Sequence, residues 1–379
     1  MHILITGGAG FIGSHTADAL IEKGHTVRIL DNLQKTIHPE GRPEHLHPKA
    51  EFIFGDVRVK DQLYRALQGI DAVFHFAAYQ DYLPDFSTFF HVNTVSTALL
   101  YEILVETSLH RGIQRVVVAS SQAVMGEGKY TCPACDGLPN HYIYPEIRLE
   151  EQLSRGRWEH RCPVCRSILK WLPSDESVIH PCNQYAISKY SQEQIAMQLG
   201  KRYRIPTAVL RYSIVQGPRQ SFHNAYSGAM RIFALSLLMN RPPIIFEDGR
   251  QVRDFVNIRD VVRANLMALE QDRAAYQVFN VGGGVAWSVL DFFHTMQQVV
   301  GRDIDPILSG YYRYGDTRHI FSDTGKIQGL GWKATHDVRT SIQDYWEYIR
   351  ARPGGKDVLE RTEAQMKKLE VIRRVKDPR

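Results

Sequence analysis

The chain has 379 residues, 44% of them hydrophobic and 23% charged, with 28 Gly, 17 Pro and 5 Cys; this make-up excludes a disordered, collagen-like or disulfide-dominated chain and suits one large domain or two unequal lobes. The 46 Lys and Arg against 41 Asp and Glu leave a formal charge of +5, far short of a nucleic-acid binder's footprint, so no nucleic-acid partner is expected. No apolar run approaches the roughly 18 residues of a membrane span, and residues 1–13 pass from a strand into a glycine turn without a basic and then apolar leader, so no membrane partner is predicted and the expected location is cytoplasmic.

Strand and helix signals alternate from the start: HILIT (2–6), a helix from Ile12 to Lys23, TVRIL (26–30), FIFGD (52–56), a helix over 60–68, AVFHFAA (72–78), a helix near 93–110 and RVVVAS (115–120). Short apolar runs between helical periods are what a parallel sheet buried on both faces requires. The fold class is therefore α/β, a doubly wound parallel sheet, Rossmann-like. Residues 127–180, rich in Gly, Pro, His, Cys and charge, break the rhythm and are predicted to be an insertion with little regular structure. The pattern resumes with a helix over 185–203, TAVLRYS (207–213), a helix near 227–239 and a mixed region to about 335; a charged helix from Arg352 onward has few apolar anchors and is expected to pack weakly or fray. The predicted organisation is a nucleotide-binding domain (1–126 and 181–213), the insertion (127–180), a region over 214–350 that is mainly a smaller substrate-binding lobe with some return to the core, and a charged helical tail over 351–379.

GGAGFIG (7–13) follows a strand and opens a helix, so the backbone at Gly7, Gly10, Phe11, Ile12 and Gly13 is expected to meet a pyrophosphate at the positive helix end. Asp31 ends the second strand close to the roughly 20 residues expected for the acid that takes an adenosine ribose diol. A carboxylate there repels a 2′-phosphate and favours NAD over NADP, with Lys35 nearby as the feature that speaks for the phosphate. Asp56 has two readings, an adenine contact or a cap on the next helix.

Tyr185 and Lys189, in YAISK, lie four apart at a helix start and project from one face. An ammonium beside a phenol stabilises the phenolate, which then takes or gives a hydroxyl proton. RVVVASSQAVMG sets Ser120 and Ser121 at the carboxyl end of a sheet strand, the edge where ligands bind in open α/β folds, and Ser121 is placed to hold the same substrate oxygen.

With these residues and with GDVR (55–58), HFAA (75–78), RYSIVQGPRQ (211–220), GRQVRDFVNIRDV (249–261), NVGGG (280–284) and GDTR (315–318), the chain resembles the extended short-chain dehydrogenase/reductases, in particular the NAD-dependent nucleotide-sugar epimerases and dehydratases. The resemblance implies Ser121, Tyr185 and Lys189 as catalytic residues. It implies cofactor contacts from Asn32, Asp56, Val57, Phe76, Ala77, Ala78 and Asn93 in addition to the glycine turn, Asp31, Tyr185 and Lys189. Gln122, Arg219, Arg253 and Arg318 are the implied substrate contacts, the arginines suiting a diphosphate. Gln122 and Ala123 stand where dehydratases of this family carry acids and 3,5-epimerases a cysteine, so an epimerase that oxidises and re-reduces a sugar hydroxyl is expected, with a nucleotide-diphosphate sugar as partner. A dehydrogenase, reductase or decarboxylase of the same family is the alternative, followed by a non-catalytic NAD sensor or scaffold. Met125, and Ser213-Ile214 in place of Phe-Asn, depart from the usual motifs. Family members commonly dimerise through two helices per subunit, here about 93–110 and 185–203, and a homodimer is implied.

The insertion carries Cys132-Pro-Ala-Cys135 and Cys162-Pro-Val-Cys165. Two such knuckles supply four thiolates to one tetrahedral ion, so a structural zinc site without an open position is predicted, at the rim of the substrate site. Cys182 is the unmatched fifth, either a small buried residue or a reactive or substrate-facing thiol.

Overall fold

The computed structural model describes residues 1–81, 83–135, 142–221, 228–308, 310–352 and 355–376. Five strands of the first third, β1 (His2–Thr6), β2 (Thr26–Asp31), β3 (Glu51–Phe54), β4 (Ala72–His75) and β5 (Arg115–Ser121), join two later ones in a seven-stranded parallel sheet. Within the insertion β6 (Lys129–Thr131) and β7 (Lys170–Leu172) form an antiparallel ribbon, and the chain re-enters the sheet as β8 (Thr207–Tyr212). The sheet order is Gln277–Val281, β8, β5, β4, β1, β2, β3.

Neighbouring residues of one strand bury into opposite layers. Ile3 and Ile5 pack with Ala17, Leu20, Val261 and Ala268 of helices Phe11–Glu22 and Ile258–Glu270. Leu4, between them, packs with Leu63, Leu100 and Met197 of helices Lys60–Leu67, Ser96–Glu106 and Gln184–Tyr203. That two-sided burial is why the strand runs are apolar without alternation. The helix expected near 93–110 differs in detail. A four-residue helix, Phe86–Phe89, leads into a wide π turn, Phe90–Val95, before Ser96–Glu106. Asn93 sits in that turn with its side chain fully buried, and Thr97 Oγ1 donates back to its carbonyl at 2.8 Å. Such turns are frequent where a helix serves a site.

A second core, with Phe233, Phe255, Phe292, Phe293 and Trp346, holds the smaller lobe together. There β9 (Ile214–Gln216) pairs with Val252–Asn257, and the Phe255 and Phe292 rings lie 4.3 Å apart. The tail, expected to pack weakly or fray, does not fray but is docked. Helix Gly355–Lys368 buries Val358, Leu359 and Met366, and strand Ile372–Arg374 pairs antiparallel with Tyr311–Arg313. Three apolar side chains on one face of an otherwise charged helix were enough to anchor it, helped by the strand that follows. No helix among the described residues is long and apolar enough to cross a membrane.

Among its described residues the insertion has little regular structure beyond its ribbon, the single turn Pro133–Cys135 and the one-turn helix Glu150–Leu153, but it is tied to the smaller lobe by ion pairs. Arg148 meets Glu247 with two bonds of 2.8 and 2.9 Å, and Glu159 bonds Arg318 and His319.

Candidate active site

The glycine turn, the ends of the sheet strands and the smaller lobe enclose a cavity of about 1070 Å³. Gly7, Gly10, Phe11, Ile12 and Gly13 line it, with the first-turn amides of helix Phe11–Glu22 lacking intrahelical acceptors by geometry. Gly7 has φ +69°, and a Cβ there would stand 2.7 Å from the Ala77 nitrogen; one at Gly13 would stand 2.5 Å from the Gly7 carbonyl oxygen. Only glycine lets the turn close so tightly on β4's end, leaving a cradle into which a pyrophosphate fits.

Asp31 lies behind this turn, accepting from the Ala9 and Leu33 amides at 3.0 and 2.9 Å. Burial pushes its carboxyl above the usual range. Asp56 does not cap the next helix. Its carboxylate accepts from Arg58 and from Asn32 Nδ2, and the next helix is capped at Val59 without a side-chain bond. Burial works against its ionisation, but these hydrogen bonds prevail and hold it at about 2. Phe76 and Ala78 line the cavity, whereas Val57 and Ala77 pack in the core layer behind it.

Tyr185 reaches the cavity with 8% of its surface exposed and packs on Tyr79 and Phe89. Its helix begins at Asn183, whose side chain accepts from the Ala186 amide. Lys189 lies one turn further in, fully desolvated, donating to the Ala119 carbonyl at 2.8 Å and to Gln192 at 2.9 Å. Burial lowers its pKa to about 7, and Glu193 opposes the shift. Asn93 does not face the cavity. It accepts from the Tyr79 amide and donates to Ser188 Oγ at 2.9 Å, while Ser188 Oγ donates to the Tyr185 carbonyl; its place is to fix the catalytic helix against the loop after β4. A chain of bonds runs from Lys189 through Gln192 and Thr97 to His75 and Thr6. Burial, with the nearby Lys189, drives the His75 pKa to about 3, so the ring is neutral.

Ser121 and Gln122 line the same wall. Ser121 Oγ accepts from the Ala123 amide at 3.2 Å, and Gln122 Oε1 is buried with no partner among the described residues, an acceptor that a ligand hydroxyl would satisfy. Arg219 and Arg253 also line the cavity, with Arg219 2.7 Å from Asp18 and Arg253 donating to the Val252, Thr317 and Arg318 carbonyls. Arg318 does not reach it: the guanidinium is fully buried among Glu159, Glu247 and Asp248. Arginines the sequence reading passed over, Arg313 and Arg352, are on the cavity wall instead. Arg313 stands just before the Gly315-Asp316 pair, so the signal lay two residues from the motif that pointed to Arg318.

The four knuckle cysteines converge. Their sulfurs all lie within 4.8 Å of one another, with Cys132 to Cys165 and Cys135 to Cys165 at 3.4 Å and Cys135 to Cys162 at 3.8 Å. None is in a disulfide. Cys182 lines the cavity, its thiol donating to the His180 carbonyl at 3.0 Å; burial and the neighbouring Glu127 push its pKa up to about 11, which makes it a poor nucleophile.

Comparison with known proteins agrees with this architecture. The chain is 31% identical over 92% of its length to dTDP-L-rhamnose 4-epimerase of Burkholderia thailandensis, covering 94% of that protein. Among solved structures it is similar to UDP-glucose 4-epimerase of Thermotoga maritima with UDP-glucose (TM-score 0.74, 30% identity, 93% of this chain and 99% of that one). It is also similar to UDP-glucuronic acid 4-epimerase of Bacillus cereus in complex with NAD (TM-score 0.72, 25% identity, 93% and 99%). The family model for NAD-dependent epimerases and dehydratases matches residues 3–145 and 170–282, leaving out the second knuckle, and the chain belongs to that family.

Proposed function

We propose that the protein is a nucleotide-sugar 4-epimerase working through a transient keto sugar. The observation that carries this reading is the meeting, in one cavity, of the glycine cradle with Ser121 and Tyr185, the tyrosine standing one helical turn before a desolvated Lys189. The chemistry that bound NAD supplies is reversible hydride acceptance, so no net oxidation results. Tyr185 takes the proton of the sugar hydroxyl and later returns it, Ser121 holds the same oxygen, and Lys189 as ammonium lowers the cost of the phenolate. Asp31 supports NAD over NADP by like-charge repulsion. Arg219, Arg253 and Arg313 hold the diphosphate, with Gln122 Oε1 accepting from the sugar. Incubation with UDP-glucose, UDP-glucuronate and dTDP-L-rhamnose, followed by NMR of the C4 proton, tests the reading. Inversion at C4 without accumulation of NADH is expected; no inversion of any of the three, or stoichiometric NADH, refutes it.

The cysteine cluster holds a structural Zn²⁺. Zinc–sulfur bonds of about 2.3 Å place tetrahedral sulfurs roughly 3.8 Å apart; three of the six sulfur pairs lie at 3.4–3.8 Å and all lie within 4.8 Å, and four thiolates leave no position open for chemistry. Two copies of the chain pair through the Phe86–Glu106 segment and helix Gln184–Tyr203, a reading supported by the exposed apolar side chains of Phe86, Val95 and Ile187 there.

A further inference from the structure

The wall beyond Ser121 carries a carboxylate that no step above uses. Glu127 lines the cavity beside Gly126 and Cys182, yet only 2% of it is exposed. Its place there is fixed. A Cβ at Gly126 would stand 2.1 Å from the His180 carbonyl oxygen and 2.9 Å from Cys182 Sγ, so this segment is pressed against the residues that lead into the Tyr185 helix. Glu127 Oε2 accepts from the Arg318 amide at 2.8 Å and lies 3.0 Å from His160 Nε2, out of line for a hydrogen bond. Among the described residues no partner holds Oε1. Behind it three further carboxylates, Glu159, Glu247 and Asp248, face two guanidiniums, Arg148 and Arg318, so the cluster including Glu127 holds four acids. Its four carboxylates outnumber its two guanidiniums.

We propose that Glu127 determines sugar specificity at this site, accepting a hydroxyl of a neutral sugar and excluding uronic acids, and that the cysteine insertion holds it in position. The proposal rests on the epimerase reading. A hydroxyl donating to Oε1 makes a charge-assisted bond. A uronate carboxylate brought to the same wall meets a buried like charge, a penalty of roughly 10–10²-fold at a few ångströms' separation and the effective dielectric of such sites. In the reading above the charges of Arg253 and Arg313 are taken up by the diphosphate, and Arg313 also pairs with Asp316 at 2.8 Å, so neither is left to offset Glu127 for a uronate. The insertion enters through His160 and Glu159, shortly before Cys162: the His160 ring stands against Glu127, and Glu159 bonds the Arg318 guanidinium whose backbone amide donates to Glu127.

The test compares kcat/KM for UDP-glucose and UDP-glucuronate on the NAD-loaded enzyme. The wild type is expected to favour UDP-glucose by at least tenfold, and Glu127→Gln, which keeps the shape and removes the charge, to narrow the ratio about tenfold with NAD content and melting temperature retained. Equal use of both by the wild type, or a Gln variant that loses both activities in proportion, overturns the proposal. Should that variant not fold, Glu127→Asp decides: it keeps the charge but draws it back, so it should still reject the uronate while KM for UDP-glucose rises several-fold, and an unchanged KM overturns the proposal. If the wild type inverts neither these two nor dTDP-L-rhamnose, the proposed reaction itself fails and takes this assignment with it.

Discussion

Replacing Glu193 by Gln is the perturbation whose consequences the structure spells out most fully. The carboxylate is 1% exposed and takes Arg211 in a fork, Nε to Oε1 at 2.9 Å and Nη2 to Oε2 at 2.8 Å, together with the Ser120 hydroxyl. Breaking a buried pair from one side costs about 3–5 kcal/mol; because Gln keeps one acceptor and Arg211 retains the Glu176 and Val178 carbonyls, the lower end, about 3 kcal/mol, is expected. Glu193 also stands one turn from Lys189 and opposes the burial that lowers the lysine pKa to about 7. A unit charge at roughly 6–8 Å and an effective dielectric of about 20 is worth about 2 kcal/mol, so its loss should move the Lys189 midpoint down by roughly 1–2 pH units. The native lysine has released its proton above about 7, while the unfolded one holds it to about 10.4. Stability attributable to this group therefore rises with pH across that window, and in the variant the rise should begin at lower pH. Urea midpoints from pH 5 to 10, with Lys189 followed by NMR of its side chain, read both effects. A stability loss under about 1 kcal/mol, or an unmoved lysine midpoint, would refute the reasoning.

Tyr185→Phe should retain NAD while turnover falls by roughly 10²–10⁴; near-normal rates would remove this tyrosine as the base. Asp31→Asn should bring NAD and NADP affinities closer together, since only the charged acid repels the 2′-phosphate, and titration with each dinucleotide reads the ratio. Cys165→Ser should release about one zinc ion per chain by metal analysis and open residues 142–176 to protease, whereas zinc-free wild-type protein would end the metal assignment.

The strands of the sheet and the glycine turn could be read directly because their signals are local: an apolar run buried on both faces, and glycines that no other residue replaces at Gly7 and Gly13. Tyr185 and Lys189 were legible for the same reason, being one helical turn apart. Arg318 was misplaced because an arginine's type and spacing do not say which carboxylates surround it, and Glu159 and Asp248 come from distant segments. Asn93 was assigned to the cofactor although its bonds are to Tyr79 and Ser188, a pairing that exists only after helix Gln184–Tyr203 packs on the π turn. Docking of the tail escaped for a similar reason: Val358, Leu359 and Met366 are too few to announce an amphipathic helix, yet sufficient once Tyr311–Arg313 offers a strand edge.

The ties of the insertion also set an order in time. Arg148 waits 99 residues for Glu247, and Glu150 waits 223 for Arg373; at roughly 5–20 residues per second of synthesis these partners arrive on the order of 5–45 s after the segment itself. Throughout that interval the two knuckles have no lobe to lean on, only the ribbon and the small cluster of Tyr130, Leu169 and Trp171, so the proposed metal would be a local partner able to reach them early. On a ribosome short of zinc, the growing chain would carry two pairs of adjacent, unprotected thiols, and mispaired disulfides would be the expected misfolded product.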